Sequence, residues 1–418
     1  MNIKRQNKKK TINDPVYGFI TLPSEIIFDI IEHRYFQRLR RIKQLGLTHL
    51  VYPGALHTRF HHVIGAMNLM MQAVDVLRSK GQKITEDEAL GVYIAILLHD
   101  VGHGPYSHTL EHALVNNLTH EDLSLLFMKA LKPEMGAIMD IAIAIFEGSY
   151  PKKFLHQLVS SQLDMDRLDY LKRDSFFTGV SEGVINTDRI IKMLDVVNDG
   201  LVVEAKGIYS IDKFIVARRL MYWQVYLHKT VLSAEHMLVH IVKRARQLAQ
   251  NGENVFATFA LKPFLYKNIS KQDFEDDRVH LENFARLDDF DVYTSIKEWV
   301  FSDDKVLSTL CNNLVNRNLF RTEILNQPVE EAKIIDIRNR ICNAYNLSEE
   351  DAAYFVISDN AHNNAYNPIH DRINIVFRDG SVKNYSDVSD QISTALLSKT
   401  IVKYFLCYPK EFDRDAQF

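Results

Sequence analysis

Cysteine is scarce in this sequence, and its scarcity excludes two classes of protein. Only three of the 418 residues are cysteines, Cys311, Cys342 and Cys407, and none of them forms a CxxC pair. A disulfide-held secreted domain and a zinc ribbon both need cysteines at close, regular spacing. The cysteine content therefore fits a reducing compartment, and we expect a cytoplasmic protein.

Long apolar runs are also missing. No stretch approaches the length of about 18 uninterrupted apolar residues that a membrane span needs, so we expect no membrane partner. The N-terminal residues MNIKRQNKKK are basic but lack the apolar segment of a secretion signal. We interpret residues 1–11 as a basic flexible tail, with a phosphate-binding arm as the alternative. The formal net charge of -3 gives no overall attraction to nucleic acid, so a nucleic-acid partner is an alternative without support.

Apolar residues with helical spacing dominate most of the chain. They predict helices over residues 25–44, 63–77, 86–98, 156–174 and 211–250, with a small strand pair within residues 200–207. The basic residues of the first helix are expected to face solvent: Arg34, Arg38, Arg40, Arg41 and Lys43.

After residue 330 the sequence changes character. The runs IIDIR, YFVIS, INIVF and IVKYFLCY are typical of strands, and Asp379-Gly380 predicts a hairpin turn. We therefore expect a mainly α fold, with a helical core and helical extension over residues 12–330. A small C-terminal α+β subdomain is expected over residues 331–418.

Histidines cluster in one segment of the chain. Eight of the seventeen lie within residues 57–120, and three of these belong to the stretch AILLHDVGHGPYSH at residues 95–108. There, a helix delivers the adjacent His99 and Asp100 to a glycine-containing turn. An imidazole nitrogen beside a carboxylate oxygen can chelate a divalent cation. The alternative is that His99 caps the helix and Asp100 begins the turn.

Further ligands would favour the metal site, and two other predicted helices supply candidates. His61 and His62 lie at a helix N-terminus, and chemistry alone does not choose between them. Asp166 lies on the 156–174 helix, where Asp169, Tyr170 and Arg173 share its face. That charged face is either a surface salt-bridge lattice or the wall of a cleft, and the apolar residues interleaved with it favour the cleft.

Other residue types in these segments suit phosphate chemistry. Two imidazoles and two carboxylates fit one divalent ion among Mn, Mg, Fe, Zn and Ni. The candidate cations for a polyphosphate are Arg59, Arg167 and Arg218. The candidate general acids are His103 and the pair His120-Glu121.

Five motifs, in this order, resemble those of the HD-domain metal-dependent phosphohydrolases. They are QLG at residues 44–46, YPGALHTRFHH at 52–62, HDVGHGPYSH at 99–108, HE at 120–121 and DMDRLDYLKRD at 164–174. Within this family, the chain is most similar to the dNTP triphosphohydrolases, the branch that includes the SAM-and-HD-domain protein, here without the SAM domain. The resemblance implies an HD-domain helical bundle, one divalent metal ion, a nucleotide substrate and a homo-oligomer, either a dimer or a tetramer.

The resemblance also implies a role for each motif residue. It selects His62 over His61, so the implied metal ligands are His62, His99, Asp100 and Asp166. The implied catalytic residues are His103, His120 and Glu121. The implied triphosphate contacts are Arg59, Arg167 and Arg218, with His108 nearby; the family commonly has lysine where Arg167 stands. The implied deoxyribose contacts are Gln44, Tyr170 and Asp174, with Asp174 accepting from the 3′-hydroxyl and Tyr170 packing where a 2′-hydroxyl would lie.

These motifs favour hydrolysis of a dNTP to deoxynucleoside and triphosphate. One alternative is a nucleotidase or phosphodiesterase of the same family that acts on another nucleotide. The other is a non-catalytic nucleotide- or nucleic-acid-binding regulator, which the four ionisable ligands disfavour because they are hard to keep buried without an ion. We interpret His49, His57 and His112 as ordinary surface or packing residues.

Overall fold

The computed structural model describes residues 10–115, 117–363, 366, 372–390 and 401–413. The side chains of His112 and Asn363 also lie outside this description, as does most of the predicted basic tail. Within the described residues the fold is mainly α with small sheets, so the predicted fold class is confirmed. None of the described helices is long and apolar enough to cross a membrane.

A hairpin and two short helices open the described chain. They are β1 (Thr11–Asp14), paired antiparallel with β2 (Gly18–Thr21), then α1 (Glu25–Glu32) and α2 (Arg34–Gln37). The continuous helix predicted for residues 25–44 is wrong. His33 has an extended backbone, and its Nδ1 accepts from the Tyr35 N–H, which caps α2 and separates it from α1.

This break turns Arg38 into the protein interior. The Arg38 side chain is fully buried, so the expectation that it faces solvent is wrong. Its guanidinium donates to four backbone carbonyls at 2.7 to 3.3 Å, those of Val101, His103, Phe284 and Leu287. One side chain therefore joins the turn after His99-Asp100 to a segment far along the chain.

Helices of unequal length then form the centre of the bundle. In chain order these helices are α3 (Arg59–Ser79), α4 (Glu86–Leu98), α5 (Glu111–Leu114), α6 (His120–Met135), α7 (Ile138–Phe146), α8 (Lys153–Val159) and α9 (Met165–Thr178). The bounds predicted for α4 are confirmed. α3 packs against α4 and α9, and Gly65 permits the close approach of α9. A Cβ at Gly65 would lie 2.0 Å from the Arg173 guanidinium and 2.1 Å from the Asp169 carboxylate.

The single helix predicted over residues 156–174 is wrong, because the chain breaks between α8 and α9. Asp164 stands at the break, and its carboxylate accepts from the backbone N–H groups of Ser161 and Arg167. This cap satisfies the free N–H groups at the start of α9. Asp166 consequently lies in the first turn of α9 rather than in the middle of a longer helix.

A second break interrupts the helix predicted over residues 211–250. The segments here are α10 (Thr187–Lys192), β3 (Leu194–Val197), β4 (Gly200–Glu204), α11 (Ile208–Met221) and α12 (Lys229–Gln250). A π-helical turn, Tyr222–Tyr226, separates α11 from α12. Such turns are rare and often occur at functional sites. An antiparallel strand pair is present as predicted, but the predicted bounds of residues 200–207 are wrong, because only β4 lies within them and β3 precedes them.

The remaining chain alternates helices and strands. In order, the elements are α13 (Lys262–Tyr266), α14 (Lys271–Asp276), α15 (Arg278–Arg286), α16 (Asp289–Trp299), α17 (Lys305–Val315), β5 (Arg321–Leu325), α18 (Glu331–Tyr345), α19 (Glu349–Ala352), β6 (Ile357–Asn363), β7 (Asn374–Val376), β8 (Val382–Asn384) and β9 (Ile401–Tyr408). The strand expected at IIDIR is wrong, since this run lies in α18. Its isoleucines Ile334 and Ile337 are buried with Ile341 at helical spacing.

Two sheets include strands from the C-terminal region. One has the order β5-β9-β6, and the other has the order β3-β4-β7-β8, in which β4 and β7 are parallel. β7 and β8 form the predicted hairpin, with Gly380 at φ +82° in its turn. Tyr385 also donates a hydrogen bond of 2.5 Å to Asp212 on α11. The domain boundary near residue 330 stays a prediction.

Candidate active site

The four predicted metal ligands meet between the ends of α3, α4 and α9. His62 Nε2 lies 3.0 Å from Asp166 Oδ1 and 3.7 Å from Asp100 Oδ2. His99 Nε2 lies 3.4 Å from Asp100 Oδ1 and 3.6 Å from Asp166 Oδ1. Ligand atoms of His62, His99 and Asp100 all lie within 4.8 Å of one another. This spacing allows His62, His99 and Asp100 to coordinate one ion, and Asp166 lies beside both histidines. These four residues form the candidate metal cluster.

Both imidazoles are oriented for metal binding by contacts on their far side. His62 Nδ1 is 2.8 Å from Asp169 Oδ2, and His99 Nδ1 is 2.6 Å from the Ile96 carbonyl. Each contact holds a proton on Nδ1 and leaves the lone pair of Nε2 directed at the cluster. Both Nε2 atoms are buried without a hydrogen-bond partner among the described residues. Unpartnered imidazole nitrogens beside two carboxylates fit a divalent metal ion.

The contact to His62 is the end of a buried chain of charges. Arg173 donates to both oxygens of Asp169, at 2.9 and 3.0 Å, and to Asp14 at 2.8 Å. Asp14 belongs to β1, so the N-terminal hairpin is joined to the metal cluster through Arg173 and Asp169. The side chains of Asp169 and Arg173 are fully buried, which keeps His62 in one orientation.

Replacing Asp169 with asparagine is expected to weaken metal binding by about 10- to 100-fold. The amide can present its N–H₂ to His62 Nδ1, and it removes the charge that holds the ring. Titration of the metal-free protein with Mn²⁺ measures the change. Asp288→Asn serves as the control, because Asp288 is similarly buried but lies outside the cluster. Equal Mn²⁺ affinities of the two variants would contradict the positioning role.

Asp100 is surrounded by positive and polar groups. Its carboxylate pairs with Arg59, and His103 Nε2 lies 3.3 Å from Oδ1. Burial raises the pKa of Asp100, but Arg59, His99 and His103 outweigh it and hold that pKa well below the usual range. Burial and the Arg59 charge hold the pKa of His103 well below its usual value, so His103 is neutral near pH 7.

A second group of histidines lies beside the metal cluster. The rings of His103 and His120 stack with centroids 3.9 Å apart, and His108 packs edge-on to both. Glu111, which the sequence analysis missed, holds this group. Its carboxylate lies 3.0 Å from His108 Nδ1 and 2.8 Å from His120 Nδ1, while His120 Nε2 lies 3.3 Å from Glu121. Burial raises the pKa of Glu111, but these histidines outweigh it and lower the pKa.

A cavity of about 760 Å³ opens over both groups. Its walls include nearly all of the predicted site residues, namely Gln44, Arg59, His99, Asp100, His103, His108, His120, Glu121, Asp166, Arg167, Tyr170 and Asp174. His62 lies fully buried behind this wall. Arg218 is the exception among the predicted substrate contacts, since it does not line the cavity. Its guanidinium lies 5.9 Å from the Tyr222 ring, which does.

Asp174 is held from two sides at the cavity wall. Tyr226 donates to its Oδ2 at 2.7 Å, and His57 Nε2 lies 2.8 Å from its Oδ1. The interpretation of His57 as an ordinary packing residue is therefore incomplete, because it packs on Phe177 and also contacts a predicted substrate ligand. His49 Nδ1 lies 3.2 Å from the Gly46 carbonyl, which is a local contact within its own turn. Sequence offers no signal for Tyr226, since its position depends on the π-helical turn.

Glu235 of α12 is a further cavity residue that the sequence analysis missed. Burial raises the pKa of Glu235 to about 7, although a hydrogen bond with Thr109 opposes the shift. Unfolding exposes this carboxyl and returns its pKa toward 4.5, so the unfolded chain loses the proton first as the pH rises. The free energy of unfolding therefore falls between about pH 4.5 and pH 7 because of this group.

The Glu235→Gln variant is expected to unfold at a higher temperature than the wild type at pH 8, and at the same temperature at pH 4.5. The expected gain in stability at pH 8 is about 2 kcal/mol. Thermal melts at both pH values measure the difference. Glu253→Gln, which alters an exposed carboxyl, is the control and should leave the melting temperature unchanged at both. A gain that is identical at pH 4.5 and pH 8 would contradict the assignment.

Comparison with known proteins gives the family. The HD domain matches residues 59–174, and the HD associated region matches residues 185–258. A phosphohydrolase crystal structure from Bacteroides thetaiotaomicron is similar over 96% of this chain and 100% of that chain, with 51% identity and a TM-score of 0.93. The protein YwfO of Bacillus subtilis is 32% identical over 98% of this chain and 94% of its own length.

Some of the relatives carry the name of an activity. The deoxynucleoside triphosphate triphosphohydrolase SAMHD1 homolog of Dictyostelium discoideum is 30% identical over 72% of this chain and 62% of its own length. The family profile covers the segment from Arg59 to Asp174, which contains all four residues of the metal cluster. The resemblance inferred from the motifs is thereby confirmed, and the chain belongs to the HD-domain phosphohydrolases.

Proposed function

We propose that this phosphohydrolase cleaves a dNTP to the deoxynucleoside and triphosphate. The observation that carries the proposal is the shared cavity of about 760 Å³. Its walls combine three of the predicted metal ligands, two of the predicted cations and the predicted deoxyribose contacts, namely His99, Asp100, Asp166, Arg59, Arg167, Gln44, Tyr170 and Asp174. This volume lies within the range of cavities that take small molecules. The named activity of the Dictyostelium relative supports the same substrate class.

The positive charges of the cavity support triphosphate binding. Arg59 is fixed by Ser107 at 2.8 Å and by Asp100, so its guanidinium is preorganised beside the metal cluster. Arg167 is anchored to the Ser161 carbonyl at 2.5 Å and to Asp164 at 3.1 Å. Each anchor uses the Nε side of the guanidinium or one terminal N–H₂ group and leaves other donors for phosphate oxygens. Arg167 in place of lysine adds a planar, two-pronged donor.

The metal cluster and the neighbouring group of His103, His108 and His120 have different proposed roles in the reaction. When bound, the divalent ion would activate a water molecule and neutralise charge on the phosphoryl oxygens, and His62, His99, Asp100 and Asp166 would hold it. Attack at the α-phosphorus breaks its bond to the 5′ oxygen, and that oxygen must receive a proton. His120 is the proposed donor, since it lines the cavity and Glu111 fixes its ring through Nδ1, whereas burial and the Arg59 charge hold the pKa of His103 well below its usual value.

Other residues of the cavity wall support deoxyribose binding. Asp174 is a hydrogen-bond acceptor at the wall, suited to a 3′-hydroxyl, and Tyr170 lies on the same face of α9. Gln44 Oε1 is buried and has no hydrogen-bond partner among the described side chains and backbone groups. An unsatisfied amide oxygen at a cavity wall is suited to a hydroxyl donor of the substrate.

Product analysis tests the proposal. The purified protein is incubated with Mn²⁺ or Mg²⁺ and each of the four dNTPs, singly and mixed, beside the Asp100→Asn variant. Deoxynucleoside and intact triphosphate in equal amounts, absent with the variant, are the expected result. Release of orthophosphate, pyrophosphate or a deoxynucleoside monophosphate would overturn the proposed bond cleavage and support a different HD-type nucleotidase. Nucleotide binding without any product would support the regulator alternative.

A further inference from the structure

His57 stands directly behind a predicted substrate contact. It lies in the loop before α3, and its side chain has no solvent exposure. The ring is parallel to Phe177, with centroids 4.5 Å apart and an interplanar angle of 18°. His57 Nε2 lies 2.8 Å from Asp174 Oδ1. The stacking fixes the plane of the imidazole, so the direction of its bond to Asp174 is fixed as well.

The proton of this bond must come from the histidine. An ionised carboxylate can only accept, so His57 Nε2 carries the hydrogen. His57 Nδ1 is buried and lacks a hydrogen-bond partner in the described part of the chain, so Asp174 is the partner that the ring serves. A buried ring nitrogen without a partner lowers the stability of the protein. An apolar ring would pack in the same place without this cost, so packing alone does not explain a histidine here.

Asp174 is thereby fixed at both oxygens. Its Oδ2 accepts from Tyr226 at 2.7 Å, and its Oδ1 accepts from His57. Each carboxylate oxygen can accept about two hydrogen bonds, so one lone pair of each stays available. Because Asp174 lines the cavity, these free lone pairs are the part of the carboxylate that a ligand hydroxyl can reach.

We propose that His57 is a positioning residue that holds the Asp174 carboxylate in the orientation that accepts the 3′-hydroxyl of the substrate. Its contact sets the preference for nucleotides that carry this hydroxyl over those that lack it. The inference rests on the proposed function, since it assumes a nucleotide whose sugar reaches Asp174. It gives His57, a loop residue two positions before Arg59, an indirect part in specificity, since His57 acts through Asp174.

Two substitutions separate the hydrogen bond from the packing. His57→Phe keeps a ring that can stack on Phe177 but cannot donate to Asp174. His57→Gln loses the ring but places an amide N–H near the position of Nε2. Tyr226→Phe removes only the hydroxyl that holds the other oxygen of Asp174. A positioning role predicts that His57→Phe and Tyr226→Phe both weaken the preference for the 3′-hydroxyl. It also predicts that His57→Gln keeps part of this preference.

The experiment compares each dNTP that the wild type hydrolyses with its 2′,3′-dideoxy counterpart. Hydrogen bonds to charged groups contribute about 1.5 to 3 kcal/mol, so kcat/KM for the dNTP should fall by about 10- to 100-fold in His57→Phe. The loss should appear mainly in KM, and kcat/KM for the dideoxynucleotide should change less than about threefold. The preference for the 3′-hydroxyl should therefore collapse in His57→Phe and return in part in His57→Gln.

Other results would overturn the inference. An equal loss for both nucleotides would indicate a structural role only, and an unchanged preference in His57→Phe would exclude any role for the bond. If His57→Phe fails to fold, a retained preference in Tyr226→Phe would count against fixing of Asp174. If the wild type releases no triphosphate, the proposed function fails, and calorimetric dissociation constants of the same two nucleotides still decide the role of His57.

Discussion

Replacing Asp100 with asparagine is expected to lower phosphohydrolase activity by about 10³-fold or more, while the protein stays folded. Asp100 lies 3.4 Å from His99 Nε2 and 3.7 Å from His62 Nε2, so its carboxylate is central to the metal cluster. The amide has nearly the same volume but no charge and only one acceptor oxygen. A divalent ion contributes several kcal/mol to stabilising charge in phosphoryl transfer, and each 1.36 kcal/mol is tenfold in rate.

Metal analysis of the purified variant accompanies the assay. We expect substoichiometric metal in Asp100→Asn and stoichiometric metal in the Asp288→Asn control. Asp100 also pairs with Arg59, so the loss of activity should not be recovered fully by excess Mn²⁺. A variant with wild-type activity and wild-type metal content would show that Asp100 is neither a metal ligand nor required for the reaction.

The Arg38→Met variant is expected to lose about 3 kcal/mol or more of its free energy of unfolding. Within the core, the Arg38 guanidinium donates to the carbonyls of Val101 and His103, and it also donates to those of Phe284 and Leu287. Methionine fills much of the space but leaves these acceptors without the donor, and each unsatisfied buried group costs about 1 to 3 kcal/mol. Burial lowers the pKa of Arg38 to about 9, so the guanidinium is charged at pH 7.

Urea unfolding followed by circular dichroism measures this loss as a lower midpoint. Arg40→Met is the matched control two residues away, since Arg40 is exposed, donates to the Gln37 side chain and lies over the Phe60 ring without holding any backbone carbonyl among the described residues. Because Val101 and His103 belong to the turn after Asp100, Arg38→Met should also lower phosphohydrolase activity in the absence of urea. An unfolding midpoint equal to that of Arg40→Met would contradict the role of Arg38 as a buried link.

The convergence of the metal cluster could be predicted because its residues lie at helix ends inside short motifs. His99 and Asp100 follow an apolar helical run. Asp166 belongs to a charged helix face, and the apolar residues interleaved with that face favour the wall of a cleft over an exposed surface. The choice of His62 over His61 needed the family resemblance, since both lie at the start of α3. In the structure His61 Nδ1 accepts from the Thr58 N–H and closes the cap of α3, which gives it a local role.

The residues that sequence could not identify have partners far away or on the backbone. Arg38 is buried through carbonyls, and carbonyls carry no sequence signal. His57 contacts Asp174, 117 positions later, and Glu111 is placed by the turn that brings it to His120. The breaks at His33 and Asp164 were missed for a similar reason, since both side chains accept from backbone N–H groups, which carry no sequence signal. The strand expected at IIDIR failed because β-branched content was weighed above the three-to-four-residue spacing of buried isoleucines.

The parallel pairing of β4 with β7 has a consequence for how the protein is made. Val202 pairs with Asn374, so one edge of β4 must wait for a strand that the ribosome adds much later. At about 5 to 20 residues per second, this delay is about 10 to 35 seconds. During that interval, α3, α4 and α9 have already left the ribosome and can pack around the metal cluster. The helical core can therefore assemble during translation, whereas the second sheet closes near its end, and until then the bare edge of β4 is open to strands of other nascent chains.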